Sequence, residues 1–295
     1  GGDERVAEFQ AAVKQDLGTP GGKRMVADFG GTRDVCLRFL GARQGDITAA
    51  TTMLRNTIAF REEAAVSQSE TNLDNTTLAI QRFWGGSFVG HTQDGMLVQV
   101  HRVGRVDPGS ILPHGEEAIR KFYICWMEWM LSLTREVGVT CKTPTLACGN
   151  IEIYDFRGIA PSQVWSLLPG IRAFAKAISI GQQHYPESLG VCFLLFLPKS
   201  VAYVLQNVVN GVLGGSTKEK LVVSQGDCAE ELGRFLDPAS IQAILNPQAP
   251  LHRSDSFESA ASGDEAHSEA RKFEQPPKVN LFSSAARKLR LSLLL

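Results

Sequence analysis

The spacing of apolar residues predicts helices that alternate with strands along most of the chain. Residues 33–62 carry apolar side chains mostly three and four positions apart, which predicts two short helices on either side of Gln44-Gly45. Residues 115–137 and 162–182 predict two longer helices in the same way. Residues 96–104 (MLVQVHRVG) and 149–158 (GNIEIYDFRG) alternate apolar and polar positions, which predicts strands.

The second half of the chain adds an uninterrupted apolar run. Residues Val191 to Leu197 are all apolar, which is typical of a strand that is covered on both faces. Residues 199–213 place their valines and leucines along one face of a predicted amphipathic helix, and residues 221–223 predict a short strand. Strands that alternate with helices of this length predict an α/β domain with a mostly parallel sheet.

The net charge and the spacing of the cysteines limit the kinds of binding partner that we expect. The chain has 295 residues, with 30 Lys and Arg against 31 Asp and Glu, so its formal net charge is -1 and no global field favours nucleic acid. The six cysteines form no CxxC pair and show no metal-ligand spacing, which predicts reduced thiols in the cytoplasm and no metal site. We therefore expect no nucleic-acid partner.

The known catalytic motifs are missing from the sequence, which has no G-x-S-x-G elbow, no H-E-x-x-H and no G-x-G-x-x-G after a strand. We expect no catalytic residues and no cofactor, and hence no enzyme. The stretch HYPESLG nevertheless places a carboxylate, Glu187, in a rigid turn before the apolar run. Glu187 is then a general acid or base beside His184, the partner of a ligand's polar head, or a solvated loop residue.

The order of several segments resembles the CRAL-TRIO lipid-binding domain family, in its phosphatidylinositol/phosphatidylcholine transfer branch. The segments are DVCLRFLGARQGDITAATTMLRNTIAFRE, RVGRVDP, IEIYDFRGIA, HYPESLG and GVLGGSTKEKLVV, and the resemblance spans about Arg33 to Leu245. It implies a CRAL-TRIO-like α/β fold, in which a mostly parallel sheet floor is covered by helices that form a hydrophobic lipid pocket. It also implies a small N-terminal helical subdomain (1–85) followed by the lipid-binding domain (86–248). The composition beyond them predicts a disordered linker (249–280) and a basic, apolar tail (281–295).

The resemblance also implies a set of ligand-binding residues. The phosphoinositide headgroup site falls on Arg43, Glu187, Thr217 and Lys220, and Ser162 is a second, weaker hydroxyl site. Each of the charged residues has a rival interpretation as a member of a structural ion pair. The predicted amphipathic helix becomes a mobile gate over the acyl pocket, with its apolar face formed by Val201, Val204, Leu205, Val208 and Val212.

The function that follows is binding and transfer of a phospholipid, with phosphatidylinositol as the main ligand and phosphatidylcholine as a possible second one. We expect a cytoplasmic monomer that associates peripherally and reversibly with membranes. Two alternatives stay open: a carrier of a small hydrophobic ligand of the tocopherol or retinoid type, and a non-catalytic membrane or signalling scaffold.

Overall fold

The computed structural model describes residues 2–64, 66, 74–84, 86–92, 94–141, 149–159, 164–203, 205 and 215–246. The expected linker and tail lie outside these residues. No helix in the described part of the chain is both long and apolar enough to cross a membrane.

The N-terminal part of the chain is helical. The helices are α1 (Gly2–Ala12), α2 (Lys14–Gly18), α3 (Pro20–Asp28), α4 (Thr32–Ala42), α5 (Ile47–Glu63) and α6 (Asn75–Phe83). Side chains fix several of their starts, because Asp46 accepts a hydrogen bond from Ala49 N ahead of α5 and Asp74 accepts one from Thr77 N ahead of α6. The two helices predicted around Gln44-Gly45 are confirmed as α4 and α5.

The central sheet has the order β1-β2-β3-β4-β5. Its strands are β1 (Gly86–His91), β2 (Leu97–Arg102), β3 (Asn150–Asp155), β4 (Leu189–Leu195) and β5 (Leu221–Val223). The strands from β2 to β5 run parallel, and β1 pairs with β2 antiparallel. The prediction of a mostly parallel sheet is confirmed.

Some predicted boundaries are wrong. The strand predicted at 191–197 begins two residues earlier and ends at Leu195, because Phe196 adopts a left-handed backbone with φ 53°. The strand predicted at 96–104 ends at Arg102, where a short 3₁₀ turn (Val103–Arg105) begins. The polar stretch before β2 contains β1, which the apolar pattern did not predict.

The helices that the structure describes after β2 are α7 (Pro108–Ile111), α8 (Gly115–Cys141), α9 (Val164–His184), α10 (Gly215–Lys218), α11 (Ala229–Leu232) and α12 (Pro238–Leu245). On one face, Val100, Ile153 and Phe193 join a core with Leu232 and Ile241, which closes that side with apolar contacts. The other face lies towards α8 and α9, where side chains of both helices and of the sheet line a cavity.

Buried ion pairs connect the N-terminal helices α3 and α5 to helix α8. Arg61 on α5 donates two hydrogen bonds to Glu128 on α8, at 2.7 and 2.9 Å, and a further one to Asp28. Burial alone would lower the pKa of Arg61, but the Glu128 carboxylate outweighs it and holds that pKa above its usual value. These contacts cross residue 85, where we predict the boundary between the N-terminal helical subdomain and the lipid-binding domain. That boundary stays a prediction.

Candidate functional site

A mostly apolar cavity lies between the sheet and the helices α8 and α9. Its volume is about 510 Å³, within the range of about 300–1,000 Å³ that is usual for small-molecule sites. Its apolar lining includes Phe122, Trp126, Ile178, Leu194 and Leu221. Such a lining favours a ligand with a large hydrophobic part.

The four residues of the predicted headgroup site, Arg43, Glu187, Thr217 and Lys220, all line this cavity. They come from three separate parts of the chain, and the fold brings them to one wall. The binding of a headgroup by these residues stays a proposal.

The turn between α10 and β5 positions Thr217 and Lys220. Lys220 N donates to Thr217 O at 3.2 Å, which closes the turn, and Cys192 N donates to Lys220 O at 2.8 Å, which fixes the turn to β4. The Thr-x-x-Lys spacing therefore places both side chains on the cavity side of one turn.

The turn between α9 and β4 positions Glu187. Its backbone lies in the left-handed region with φ 55°, and Arg38 on α4 donates to Pro186 O at 3.3 Å and to Glu187 O at 3.4 Å. The Glu187 side chain packs beside Gly41, where an added Cβ would lie 3.3 Å from Glu187 Cγ. The α4 helix thus holds the turn by its backbone and leaves room for the carboxylate.

Glu187 and Lys220 form an ion pair. Lys220 Nζ lies 2.9 Å from Glu187 Oε2 and also donates to Leu189 O at 2.8 Å. The two side chains remain 18% and 23% exposed, for Glu187 and Lys220 respectively, so they are partly accessible. The sequence offers two interpretations of Glu187 and Lys220, as a structural ion pair and as part of a headgroup site. Both stay open, because the two residues form an ion pair and also line a ligand-sized cavity.

Arg43 ends α4 and differs from the other charged residues. Its Nη1 donates to Ala42 O at 3.0 Å, and no acidic partner for it is found within the described ranges of the chain. Arg43 is also among the residues that line the cavity.

The predicted gate is only partly described. Residues 199–203 are helical, Val201 is buried, and both Val201 and Leu205 line the cavity, while Tyr203 is 72% exposed. Val204, Val208 and Val212 lie outside the described residues, and so does the predicted second hydroxyl site, Ser162.

His184 does not support an acid-base pair with Glu187. Its ring stacks on Phe60 with centroids 3.9 Å apart, and its Nδ1 lies 3.5 Å from Thr57 Oγ1. Burial and the nearby Arg120 lower the pKa of His184 to about 4, so the ring is neutral near pH 7. We assign His184 to helix packing.

Among the polar cavity residues that were not predicted as site residues, three lie on the sheet: Glu152 and Tyr154 on β3 and His101 on β2. Tyr154 donates to Glu152 Oε2 at 2.9 Å, and its ring stacks on His101 with centroids 4.5 Å apart. The alternation of β3 did place Glu152 and Tyr154 on one face, and a carboxylate on a central strand was the signal that could have revealed them.

Comparisons with known proteins agree with this fold. The chain superposes on the crystal structure of Sfh5 with a TM-score of 0.52 and 18% sequence identity, covering 66% of this chain and 65% of Sfh5. It is 27% identical over 214 residues to the Protein real-time of Anopheles gambiae, covering 71% of this chain and 30% of that protein. It is 26% identical over 213 residues to the CRAL-TRIO domain-containing protein T23G5.2 of Caenorhabditis elegans, covering 71% of this chain and 29% of that protein.

The chain thus spans less than a third of the length of these relatives. The profile of the CRAL/TRIO domain matches residues 84–246, more than half of the chain, including the whole sheet and the Glu187–Lys220 pair. The family and the apolar cavity together support binding of a lipid or another small hydrophobic ligand. The chain belongs to the CRAL/TRIO domain family.

Proposed function

We propose that the protein binds phosphatidylinositol and transfers it between membranes. The observation that carries the proposal is the meeting of Arg43, Glu187, Thr217 and Lys220 at one wall of a mostly apolar cavity. Charged groups at one wall and a mostly apolar lining elsewhere match a ligand with a polar head and hydrophobic chains.

The charges of this wall select the headgroup. A phosphate is favoured by two cations and a hydroxyl, which Arg43, Lys220 and Thr217 supply as charge-assisted contacts. Glu187 would repel a ligand that carried only an anion, but it accepts hydrogen bonds from hydroxyl groups. Inositol phosphate carries both groups. Phosphatidylcholine offers no hydroxyl donor in its head, which makes it the weaker candidate.

The Glu187–Lys220 ion pair fits this proposal. Lys220 and Glu187 neutralise each other across 2.9 Å, so neither charge is left unpaired at the cavity wall. A ligand with both a phosphate and hydroxyl groups offers a new partner to each of them. A ligand without these groups leaves the pair as it is.

Release of a lipid requires a membrane. Each methylene transferred to water costs about 0.8 kcal/mol, so a two-chain lipid does not leave the cavity for solvent. In the segment 199–205, Val201 and Leu205 line the cavity, and Tyr203 between them in sequence is exposed. We propose that this segment opens at a membrane surface, so that the protein associates with membranes peripherally and reversibly.

A small hydrophobic ligand of the tocopherol or retinoid type is the second candidate. The cavity volume of about 510 Å³ favours it, because this is ample for a compact ligand. Such a ligand has no use for the Glu187–Lys220 pair.

Transfer assays between vesicles separate these candidates. Labelled phosphatidylinositol, phosphatidylcholine and tocopherol are offered in donor vesicles of otherwise equal composition, and arrival in acceptor vesicles is measured. The proposal predicts that phosphatidylinositol moves fastest. Transfer of tocopherol alone would contradict it, and so would the absence of any lipid transfer.

A further inference from the structure

Three arginines meet at the carboxyl ends of the strands β2 and β3. Arg102 ends β2, and in the register of the sheet it lies opposite Asp155, which ends β3. Arg105 ends the 3₁₀ turn that follows β2, and Arg157 lies two positions after Asp155. We call Arg102, Arg105 and Arg157 the arginine corner. None of the three belongs to the described lining of the cavity.

The two turns of the corner touch through their backbones. A Cβ added at Gly104 would lie 2.0 Å from Arg157 O, so the absence of a side chain at Gly104 lets the 3₁₀ turn approach the turn after β3 this closely. This contact brings Arg105 and Arg157 to one corner, although they are far apart in sequence.

One carboxylate lies within the corner, and Arg157 binds it. Arg157 donates to Asp155 from Nε at 3.0 Å and from Nη2 at 2.6 Å, and its guanidinium lies 4.4 Å from the centre of the Phe196 ring. These contacts hold the side chain in place. Its Nη1 makes no hydrogen bond within the residues that the structure describes, so Arg157 can donate to a further acceptor.

The corner is electropositive. Burial lowers the pKa of the Arg102 guanidinium most, Arg105 and Arg157 lower it further, and Asp155 opposes them. Asp107, the next acid after Arg105 in the sequence, caps the start of α7. Arg105 is exposed and the Arg157 side chain is 29% exposed, so solvent reaches both. An accessible surface of this kind attracts anions.

The chain leaves this corner towards an acidic stretch. Arg102 Nη2 donates to Asn246 O at 2.8 Å, and Asn246 is the last residue that the structure describes. Residues 254–270 (SDSFESAASGDEAHSEA), which we call the acidic segment, contain five Asp and Glu and no Lys or Arg. Asp255 follows Asn246 by nine positions, and such a length of chain spans up to about 30 Å. The acidic segment is therefore long enough to reach the corner.

We propose that the arginine corner binds the acidic segment of the same chain. Carboxylates form charge-assisted hydrogen bonds with guanidinium groups, and both are charged at neutral pH. A short tether gives the segment an effective concentration of about 1 mM at the corner, so a contact that is weak between separate molecules is populated within one chain. The bound segment closes the corner to other anions. Because the corner lies outside the cavity, this inference does not depend on which ligand the cavity holds.

A peptide that competes with the segment tests the inference. The probe is a fluorescent peptide with the sequence of residues 254–270, and its affinity for the full chain is measured by fluorescence anisotropy. A neutral-segment variant of the full chain carries Asp255→Asn, Glu258→Gln, Asp264→Asn, Glu265→Gln and Glu269→Gln. We expect the probe to bind this variant about tenfold more tightly than wild type, because the wild-type segment competes at about 1 mM.

Further substitutions in the neutral-segment variant assign the binding to the corner. Arg105→Gln removes an exposed cation, so the melting curve should stay near that of the parent while the affinity for the probe falls about three- to fivefold. Arg24→Gln is the matched control, because Arg24 belongs to a surface pair with Glu62. It should leave the affinity unchanged.

Chemical cross-linking detects the contact in the chain with its natural segment. Arg105→Lys keeps the charge and supplies an amine, which a carbodiimide joins to a carboxylate that touches it. Mass spectrometry of the monomer should find this amine joined to the acidic segment, with a yield that falls at about 0.5 M salt. The same treatment of Arg24→Lys should join Glu62 instead.

Three results overturn the inference. Equal affinity of the probe for wild type and for the neutral-segment variant would show that the segment does not occupy the corner. Equal losses in Arg105→Gln and Arg24→Gln would show only a general effect of charge. Binding of phosphatidylserine vesicles through Arg105, without binding of the peptide, would make the corner a membrane-docking surface. Each of these results would leave the proposed phosphatidylinositol function standing.

Discussion

Lys220 Nζ lies 2.9 Å from Glu187 Oε2, although 33 positions separate the two residues in sequence. The turn before β4 presents one and the turn before β5 presents the other, and the parallel pairing of these strands brings the two turns together. Both side chains border the cavity. This pair of opposite charges is where the proposed headgroup would be recognised.

Two substitutions of Glu187 separate the strain in its backbone from the role of its carboxylate in lipid binding. A residue other than glycine with φ near 55° is strained, by about 1–2 kcal/mol. Glu187→Ala loses the ion pair and keeps the strain, while Glu187→Gly loses both. We therefore expect the glycine variant to be more stable than the alanine variant by roughly 1 kcal/mol in urea denaturation.

Both Glu187 variants should transfer phosphatidylinositol equally poorly, because both lack the carboxylate. If the glycine variant transferred lipid normally, the strained turn rather than the side chain would matter. If it were no more stable than the alanine variant, the turn would carry no strain.

The buried ion network predicts a large loss of stability. The side chains of Arg61 and Glu128 are 7% and 3% exposed, so Arg61→Met leaves a buried carboxylate without its partner. We expect the free energy of unfolding to fall by about 3–5 kcal/mol. Urea denaturation followed by circular dichroism measures the change.

Arg24→Met is the matched control for that network. Arg24 pairs with Glu62 on the surface, where both side chains are 51% exposed, so its loss should change stability by less than about 1 kcal/mol. If Arg61→Met and Arg24→Met lowered the free energy of unfolding equally, the Arg61–Glu128 pair would behave like a solvent-exposed ion pair, which would contradict its burial.

Two glycines of α9 test the shape of the cavity. A Cβ added at Gly181 would overlap the Tyr123 hydroxyl, whereas one at Gly170 would lie 3.6 Å from Pro108 Cβ, an ordinary contact. Gly170→Ala should therefore stabilise the helix by up to about 1 kcal/mol. Gly181→Ala should instead destabilise the protein by about 1–3 kcal/mol, because the Tyr123 side chain must move.

Lipid binding should follow the same difference. Tyr123 and both glycines line the cavity. Displacement of Tyr123 in Gly181→Ala is expected to weaken ligand binding several-fold, while the methyl group added in Gly170→Ala displaces no side chain and should change binding less. Normal binding and normal stability of Gly181→Ala would contradict the packing described for Tyr123.

The sequence was most informative where periodicity and motif agreed. The α4–α5 pair, the parallel strands and the turn of Glu187 followed from spacing and from the HYPESLG and Thr-x-x-Lys segments. The apolar face of β3 was also correct, since Ile151 and Ile153 alternate with Glu152 and Tyr154. The strand β1 was missed because GSFVGH has too few apolar positions to form a pattern, and its pairing with β2 is a tertiary effect.

The Glu187–Lys220 ion pair could not be predicted from the sequence. A carboxylate and an ammonium 33 residues apart have no local signal, and only the register of β4 and β5 sets their distance. Glu152, Tyr154 and His101, which also line the cavity, escaped prediction for a related reason. A polar residue on one face of a strand is usually solvated, and only the helices packed above β3 turn that face into a cavity floor.

The most direct measurement of the central claim is phosphatidylinositol transfer between vesicles by Lys220→Ala, with Lys218→Ala as its control. Lys218 belongs to the same turn but does not line the cavity. Loss of a charge-assisted contact to the phosphate should lower the affinity by about 10- to 100-fold. Because the ion pair is partly exposed, stability without lipid should change by less than about 1 kcal/mol.

We predict that Lys220→Ala loses phosphatidylinositol transfer while its melting curve without lipid stays near that of wild type, and that Lys218→Ala keeps both. Full transfer by Lys220→Ala would place the headgroup elsewhere. Early melting without lipid would mean that Lys220 and Glu187 are a structural ion pair, and either result would contradict the proposed headgroup site.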